Sequence, residues 1–436
     1  MKAGSITEFL FKGSAVSFGV RAGGVALGYA AHVLLSRLLG LHSYGEYVIV
    51  LGWALVLTLP ARLGFDNSAL RYSTIYLEER RAGSLRGFLE VAACAVVLSS
   101  LAAGALMFLL AHWFSPDIPL VAILWGAALI IPIALLGVSS AVMRTTRRIF
   151  ASAFYDQLLR PGLLILLLGL SFLFGGSPGT ATALMFTAFA AAAAFLAGLV
   201  HLLRAFAPSL RAKADYSHWW EWFAVSIPLL IVGAMQELLN QLEIILLGAL
   251  ASAGDAGLFS AAWRLASLPP FVLMSLIVVS GPLVASAHHR RDAAELHHIT
   301  SLSARISLAF AVVASLMLLL AGRPLLAIFG PEFPKAYPAL AILLAGAIVN
   351  AFTGVVGYLL VLTGRQAQAL AIFAGALLVS LGLNLLLIPR LGIEGAAIAS
   401  ATALSCWNIA MLIYVRRTLG IDASAIGLQP RTARMI

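Results

Sequence analysis

The sequence is short of charge. Only 11% of its 436 residues are Asp, Glu, Lys or Arg, against roughly 25% in a soluble domain. That deficit excludes an ordinary cytosolic enzyme. Acidic residues are the scarcer kind, with 18 Asp and Glu against 28 Lys and Arg. Cysteine is almost missing: Cys94 and Cys406 stand alone, each inside an apolar stretch. A thiol so placed behaves as a small hydrophobe, so neither a disulfide nor a metal site is expected. Long polar loops are missing as well. The chain shows no P-loop, no nucleotide-binding glycine motif and no Ser–His–Asp set, and its short loops leave no room for a nucleotide domain. ATP-driven pumping is therefore not expected.

What the chain has instead is long apolar runs. Hydrophobic residues make up 61% of it, and the mean hydropathy is +1.00. Runs of this length mean membrane-spanning helices. Twelve are predicted, at residues 13–39, 44–72, 87–114, 118–143, 150–174, 180–206, 219–250, 256–287, 299–322, 336–363, 368–388 and 393–415. The N-terminus shows no A-x-A cleavage site before a polar mature domain and reads as an amphipathic lead into the first span.

The loops alternate in charge. Arg80, Arg81 and Arg86 share one loop; Arg144, Arg147 and Arg148 lie two loops later. Arg204, Arg211 and Lys213 follow, then Arg290 and Arg291, then Arg365, then Arg416 and Arg417. The loops between are nearly free of Lys and Arg. Cationic loops stay in the cytoplasm, so both termini are predicted on the cytoplasmic side. Of the 28 basic residues, eighteen fall in cytoplasmic segments and four outside (Arg37, Arg323, Lys335, Arg390). Six fall in or at the edge of the membrane: Arg21, Arg62, Arg71, Arg160, Arg264 and Arg305. A net charge of +10 can signal nucleic acid, but charge at helix ends signals topology and anionic lipid. No nucleic-acid partner is expected.

The chain divides near its middle. A first six-helix lobe is placed at 1–206, a cytoplasmic linker at 207–218, a second six-helix lobe at 219–417 and a cytoplasmic tail at 418–436. The halves resemble each other. Aligning 35–50 with 247–262 puts Gly45 on Gly257 and Tyr47 on Phe259; aligning 176–183 with 392–399 puts Gly176 and Gly179 on Gly392 and Gly395. The two offsets, 212 and 216, nearly agree, which argues for a duplicated unit. Six is even, so both copies share one orientation, and rocking of such halves about a site between them gives alternating access. Pro60, Pro132, Pro161, Pro228, Pro269, Pro270 and Pro282 interrupt helices. Most are tolerated kinks; Pro60 and Pro269–Pro270, at similar depth in equivalent helices, are candidate gating bends. The connection at 322–338, apolar and rich in proline, suggests a short interfacial helix.

The stretch 36–50 (SRLLGLHSYGEYVIV) with 59–72 (LPARLGFDNSALRY) resembles the start of lipid-linked oligosaccharide flippases of the polysaccharide transporter family. That family belongs to the multidrug/oligosaccharidyl-lipid/polysaccharide (MOP) exporter superfamily. Residues 226–248 (SIPLLIVGAMQELLNQLEIILLG), 329–344 (FGPEFPKAYPALAILL) and 384–400 (NLLLIPRLGIEGAAIAS) fit the same pattern in order. The resemblance implies an all-α fold of twelve transmembrane helices in two parallel six-helix repeats around a central cavity, similar to MATE transporters. It also implies a substrate built of a sugar unit on a polyprenyl diphosphate. The reading is a non-enzymatic flippase moving that lipid from the inner to the outer leaflet for surface polysaccharide such as O-antigen of lipopolysaccharide or exopolysaccharide. Membrane lipid, a polysaccharide polymerase and assembly proteins are the candidate partners. No cofactor is expected beyond a coupling H⁺ or Na⁺.

A diphosphate crossing hydrocarbon needs cationic partners, and guanidinium matches phosphate with a fork of donors. Arginines inside spans are therefore the first candidates. Arg21 and Arg62 each lie about twenty residues from the turn at Leu41–His42, hence ~30 Å along their helices from the outer side. Arg21 is assigned to the cavity. Arg62 is balanced between the cavity and either snorkelling or pairing with Asp66, Asp156 or Glu8. Arg71 is expected to snorkel. The seventh span carries Gln236, Glu237, Asn240, Gln241 and Glu243, on two neighbouring stripes that cannot face lipid. Arg264 of the eighth span matches Glu243 in depth, and a salt bridge between them is expected. If the stripe is functional, Glu237 or Glu243 binds the coupling ion. Asp156 and Arg160, four apart, are expected to pair on one helical face. Asn350 and Asn384 read as interhelical hydrogen-bonding amides. His32 and His201 carry no signal, and His288, His289, His297 and His298 flank a solvated connector rather than a metal.

A cation-coupled multidrug exporter of the same superfamily is the alternative. It calls for an acidic cavity, whereas the first span offers Arg21 and His32 and no membrane-embedded acid. Peptidoglycan-lipid flippases usually carry two additional helices. A polymerase or glycosyltransferase calls for a large outer loop or an acidic motif. A purely structural protein has no need of five polar residues within eight positions.

Overall fold

The structure is a computed structural model that describes residues 3–114, 117–145, 153–290 and 292–428. Arg147, Arg148, Arg291, the start of the fifth expected span and residues 429–436 of the expected tail lie outside the described residues, as do the side chains of Glu8, Pro228 and Pro282.

In hydrocarbon every backbone amide must find its partner within the chain, and these apolar runs do so as helices. α1 (Ala3–Ala61) holds the first two expected spans, joined at Gly40, where φ is 74° and ψ 174°. That backbone geometry suits glycine alone. α2 (Phe65–Glu78), α3 (Ala82–Phe114) and α4 (Leu120–Thr145) follow. A π-helical turn (Phe154–Leu159) leads into α5 (Arg160–Leu173), then α6 (Thr180–Ala205) and α7 (Trp219–Leu250). Next come α8 (Ala253–Ala266), α9 (Pro270–His289) and α10 (Ala293–Ala327). α11 (Tyr337–Thr353), α12 (Val356–Leu362) and α13 (Gln366–Leu419) complete the order. α13 is broken at Gly392, with φ 55° and ψ −126°.

Among the described residues, eight helical runs are long and apolar enough to cross a membrane. Two of them, Gly19–Ala61 and Gln366–Leu419, each hold two passes joined at a glycine. α7 and the α8–α9 pair fill the seventh and eighth places, so each of the twelve expected segments is helical over most of its described length. The helices also carry a lipid-ready exterior: Leu98 and Leu109 on α3, Phe172 and Leu173 on α5, and Met317 and Leu320 on α10 are all more than half exposed. A water-soluble protein does not carry apolar patches of that size. The protein is an all-α, multi-pass membrane protein.

Three expected spans are broken. The second stops just after Pro60 and resumes at Phe65, with Leu63 (φ 51°) and Gly64 (φ 75°) in the gap. The eighth is broken between α8 and α9, directly before Pro270. The tenth is broken at Gly354 (φ 71°). Proline removes a helical donor and clashes with the preceding turn, so the expected bends at Pro60 and Pro269–Pro270 are full interruptions. The connection before the tenth span also differs from expectation. α10 runs through Pro324 to Ala327, and only a single 3₁₀ turn, Phe333–Ala336, follows it.

Packing divides the chain into two compact units, 1–241 and 242–436. The six-plus-six division with its linker at 207–218 is a topological proposal; the packing boundary falls within α7. In the first unit α4 and α6 share the largest interface. α6 carries Ala183, Ala190, Ala191 and Ala194, all essentially buried, and small residues of this kind let helices pack closely. In the second unit α11 and α13 pack in the same manner, with Ala347 and Ala351 on one side and Ala399 and Ala403 on the other. Thr353 of α11 donates to Asn408 Oδ1 of α13 at 3.0 Å.

The expected linker is strapped to the start of α3. The N–H of Asp215 donates to Gly83 O at 3.0 Å, Ser84 donates to the Asp215 carboxylate at 3.0 Å, and Arg86 donates to Ala212 O at 3.1 Å. The Ser217 hydroxyl and N–H, joined by Ser84, hold the Asp215 carboxyl at about 2, down from 3.8. A carboxyl depressed in the folded state adds stability that is complete above its unfolded value and vanishes as pH falls through the folded value. Asp215→Ala should therefore speed amide exchange across 211–218 at neutral pH. The difference from wild type should close as pH drops from about 3.8 to 2.

Candidate functional site

One end of the first unit, around the gap between α1 and α2 and the end of α4, gathers cations. Arg62 sits in the gap between α1 and α2, and its guanidinium lies across Gly137 of α4. A Cβ at Gly137 would come within 2.5 Å of Arg62 Cζ, so a side chain there would displace the guanidinium from this place. Arg62 donates to Ile133 O at 3.4 Å and meets Asp66 at 3.5 Å. Asp66 opens α2, where a carboxylate suits the helix N-terminus. The ion pair is long, and Arg62 Nε is buried with no hydrogen-bond partner. Arg144, at the end of α4, feels the charges of both Asp66 and Arg21. Arg21 is exposed on α1. Among the described residues, three guanidinium groups and the Asp66 carboxylate are linked in this way, so cation is in excess there. Arg144 had been counted only as a loop charge; its place in the last turn of an apolar helix was the available signal.

The π-helical turn borders this region. Gly24 of α1 lies against it so closely that a Cβ would come within 2.8 Å of Gln157 O. The extra residue of a π-turn often marks a functional position. Gln157 Oε1 is buried there with no partner. Asp156 pairs with Arg160 at 3.1 Å across the same turn, as its spacing suggested. Arg71 lies over the Tyr72 ring at 5.8 Å. His201 meets the Tyr155 hydroxyl at 2.9 Å, and His32 meets Tyr44 at 3.2 Å; both histidines bond to tyrosines.

On α7 the polar stripe is split. Gln241 donates to Glu237 at 2.9 Å, while Gln236 and Asn240 are exposed on the helix. Glu243 is buried and belongs to the second unit. The expected Glu243–Arg264 salt bridge is not formed among the described residues. Glu243 turns to α13 instead, where Ser380 donates to it at 3.1 Å and Asn384 lies beside it. Asn384 donates to Ser380 Oγ at 3.1 Å, and its own Oδ1 is buried with no partner. Arg264 lies in the last turn of α8, where a cation suits the helix C-terminus; its Nε is buried without a partner. Equal depth fixed the height of the two residues but not the direction each faces. Ser380, four residues before Asn384, is the partner that sequence reasoning missed.

The fold defined by these helices is one found in solved transporters of the MOP superfamily. It is shared with a multidrug resistance MATE family transporter of the MOP superfamily solved inward-facing, at TM-score 0.71 and 13% identity, over 93% of this chain and 97% of that one. The lipid II flippase MurJ in an inward closed conformation aligns with TM-score 0.72 and 14% identity, over 93% and 87%. A MOP superfamily transporter from Pyrococcus furiosus, described as having a binding pocket of reverse polarity, aligns with TM-score 0.62 and 14% identity, over 94% and 95%. The chain belongs to the polysaccharide biosynthesis protein family, whose family model matches residues 10–288. No curated protein sequence matches it.

Proposed function

We propose that the protein is a flippase, not an enzyme, that carries a polyprenyl-diphosphate-linked oligosaccharide from the inner to the outer leaflet of the cytoplasmic membrane by alternating access. The observation that supports it most is the cation excess around Arg62 in the first unit. Arg62 is wedged against Gly137 with its Nε unpartnered, and Arg144 and Arg21 stand within electrostatic range of each other. Among the described residues, Asp66 alone does not balance them. A diphosphate supplies the missing charge and accepts fork-like hydrogen bonds. Membership of a polysaccharide biosynthesis family and a fold shared with a lipid II flippase agree with such a cargo. Glu243, buried beside Ser380 and Asn384, is the residue assigned to a coupling H⁺ or Na⁺. A surface-polysaccharide polymerase and assembly proteins would act on the delivered lipid.

The fold shared with MATE transporters keeps a second reading, a cation-coupled multidrug exporter. Pocket polarity is the discriminator, as the reversed pocket described for the Pyrococcus furiosus relative illustrates: cationic drugs need carboxylates where this chain presents guanidinium. The test is reconstitution in liposomes. Fluorescent polyprenyl-diphosphate oligosaccharide should become accessible on the far leaflet, and a cationic dye should not be extruded. Dye export without lipid translocation would establish the exporter.

A further inference from the structure

The sequence places a cytoplasmic tail at 418–436, yet its described part, 418–428, is built into the second unit. α13 continues to Leu419 and stops at Gly420, with φ 69°. The next four residues are buried: Ile421, Asp422, Ala423 and Ser424 are each no more than 3% exposed. The segment then closes on itself. The Asp422 carboxylate accepts the N–H of Ser424 at 3.0 Å, the N–H of Leu428 at 2.9 Å and the guanidinium of Arg416 at 2.7 Å. A compact loop with its ends tied in this way is an ordered element, not a free terminus.

This loop sits on a break in a membrane helix. α11 ends at Thr353, and the interruption strands the last carbonyls of the helix. The N–H of Ala425 donates to one of them, Phe352 O, at 2.9 Å. Arg305 of α10 reaches over the loop, donating to Ala425 O at 3.0 Å and to Ile426 O at 3.2 Å. Gly354, at φ 71°, is enclosed by both neighbours: a Cβ there would stand 2.7 Å from Ala304 Cβ and 3.0 Å from Ala423 O. Beyond it, α12 is only seven residues long. A second left-handed glycine, Gly364 at φ 74°, follows it with open space around its Cβ position. α12 is thus a short rod between two glycine joints, and the C-terminal loop grips one of them.

We propose that residues 420–428 are a latch on the Gly354 joint. Docked, the loop supplies the hydrogen bond that the broken helix lacks and fixes the angle between α11 and α12. Released, it leaves Phe352 O without its donor and frees α12 to turn about Gly354 and Gly364. Hinges of this kind absorb large φ/ψ changes in a few residues at element ends. Asp422 is the anchor of the loop, and Arg305 is the clasp from α10.

The test is hydrogen exchange read by mass spectrometry on the full-length protein in lipid nanodiscs, for wild type, Asp422→Ala and Arg305→Ala. Each substitution opens the latch from a different side, so Arg305→Ala serves if Asp422→Ala does not fold. A latch requires exchange to accelerate about tenfold or more in 352–362 as well as in 420–428, with 366–391 of α13 unchanged. Acceleration confined to 420–428 would make the loop a passive tail. Uniform acceleration through 242–428 in both variants would make it ordinary packing. Either pattern overturns the proposal.

Discussion

Arg62→Ala should abolish surface glycan in cells that depend on this protein while its abundance in the membrane stays normal, and Arg21→Ala should do the same. If the guanidinium holds a diphosphate, truncating it removes one side of a desolvated charge pair. Such truncations cost about 2–5 kcal/mol, or roughly thirtyfold or more in affinity. Two further variants separate this role from a structural one. Asp66→Asn removes the 3.5 Å ion pair but leaves the guanidinium and should retain transport. Gly137→Val leaves Arg62 in the sequence but fills the place where it lies, and should reproduce the loss. If Asp66→Asn and Arg62→Ala are equally damaging, Arg62 serves only to join α1 to α2. The readout is glycan on the cell surface, normalised to protein in the membrane fraction.

Glu243→Gln should fold, because an amide oxygen can still accept from Ser380, yet it should uncouple translocation from the ion gradient. Coupling between two ligands is typically worth about 5–150-fold in affinity, and that factor should vanish from the pH or Na⁺ dependence of flux. Glu243→Ala behaves differently. It leaves the Ser380 hydroxyl without its acceptor in a buried setting, which costs about 1–3 kcal/mol of stability. Double-mutant cycles identify the partner. Glu243 with Ser380 should show coupling of about 0.5–3 kcal/mol, and Glu243 with Arg264 should be additive to within about 0.5 kcal/mol. Thermal denaturation in detergent and gradient-dependent flux in liposomes measure the two effects separately. Gradient-dependent flux unchanged in Glu243→Gln would remove Glu243 from the coupling role.

Local spacing was legible and direction was not. Asp156 and Arg160 are four apart on one run of helix, so their pairing follows from the chain itself; Arg62 and Asp66, also four apart, meet across the break between α1 and α2. The alternation of apolar runs and short loops placed all twelve helices, because a bilayer leaves the backbone little other choice. Glu243 and Arg264 were a different matter. Their distance from the turn gave both the same height, but whether two side chains meet depends on how each helix is rotated, and neighbours set that. Glu243 found Ser380, whose hydroxyl is too common a feature in apolar helices to stand out. The breaks at Gly64 and Gly354 were hidden for a related reason. Glycine is frequent in membrane helices, and only packing decides which one leaves the helical region. The C-terminal loop was hidden because Asp422 and Arg416 look like surface charges until their hydrogen bonds are seen.

The most direct measurement is the affinity of the purified protein in nanodiscs for a polyprenyl-diphosphate oligosaccharide, compared with the same lipid after removal of its phosphates. The diphosphate form should bind at least about thirtyfold more tightly, and Arg62→Ala should erase that preference while leaving the weak binding of the phosphate-free lipid intact. Equal affinity for both lipids, or a preference that survives in Arg62→Ala, would contradict an arginine site for the diphosphate.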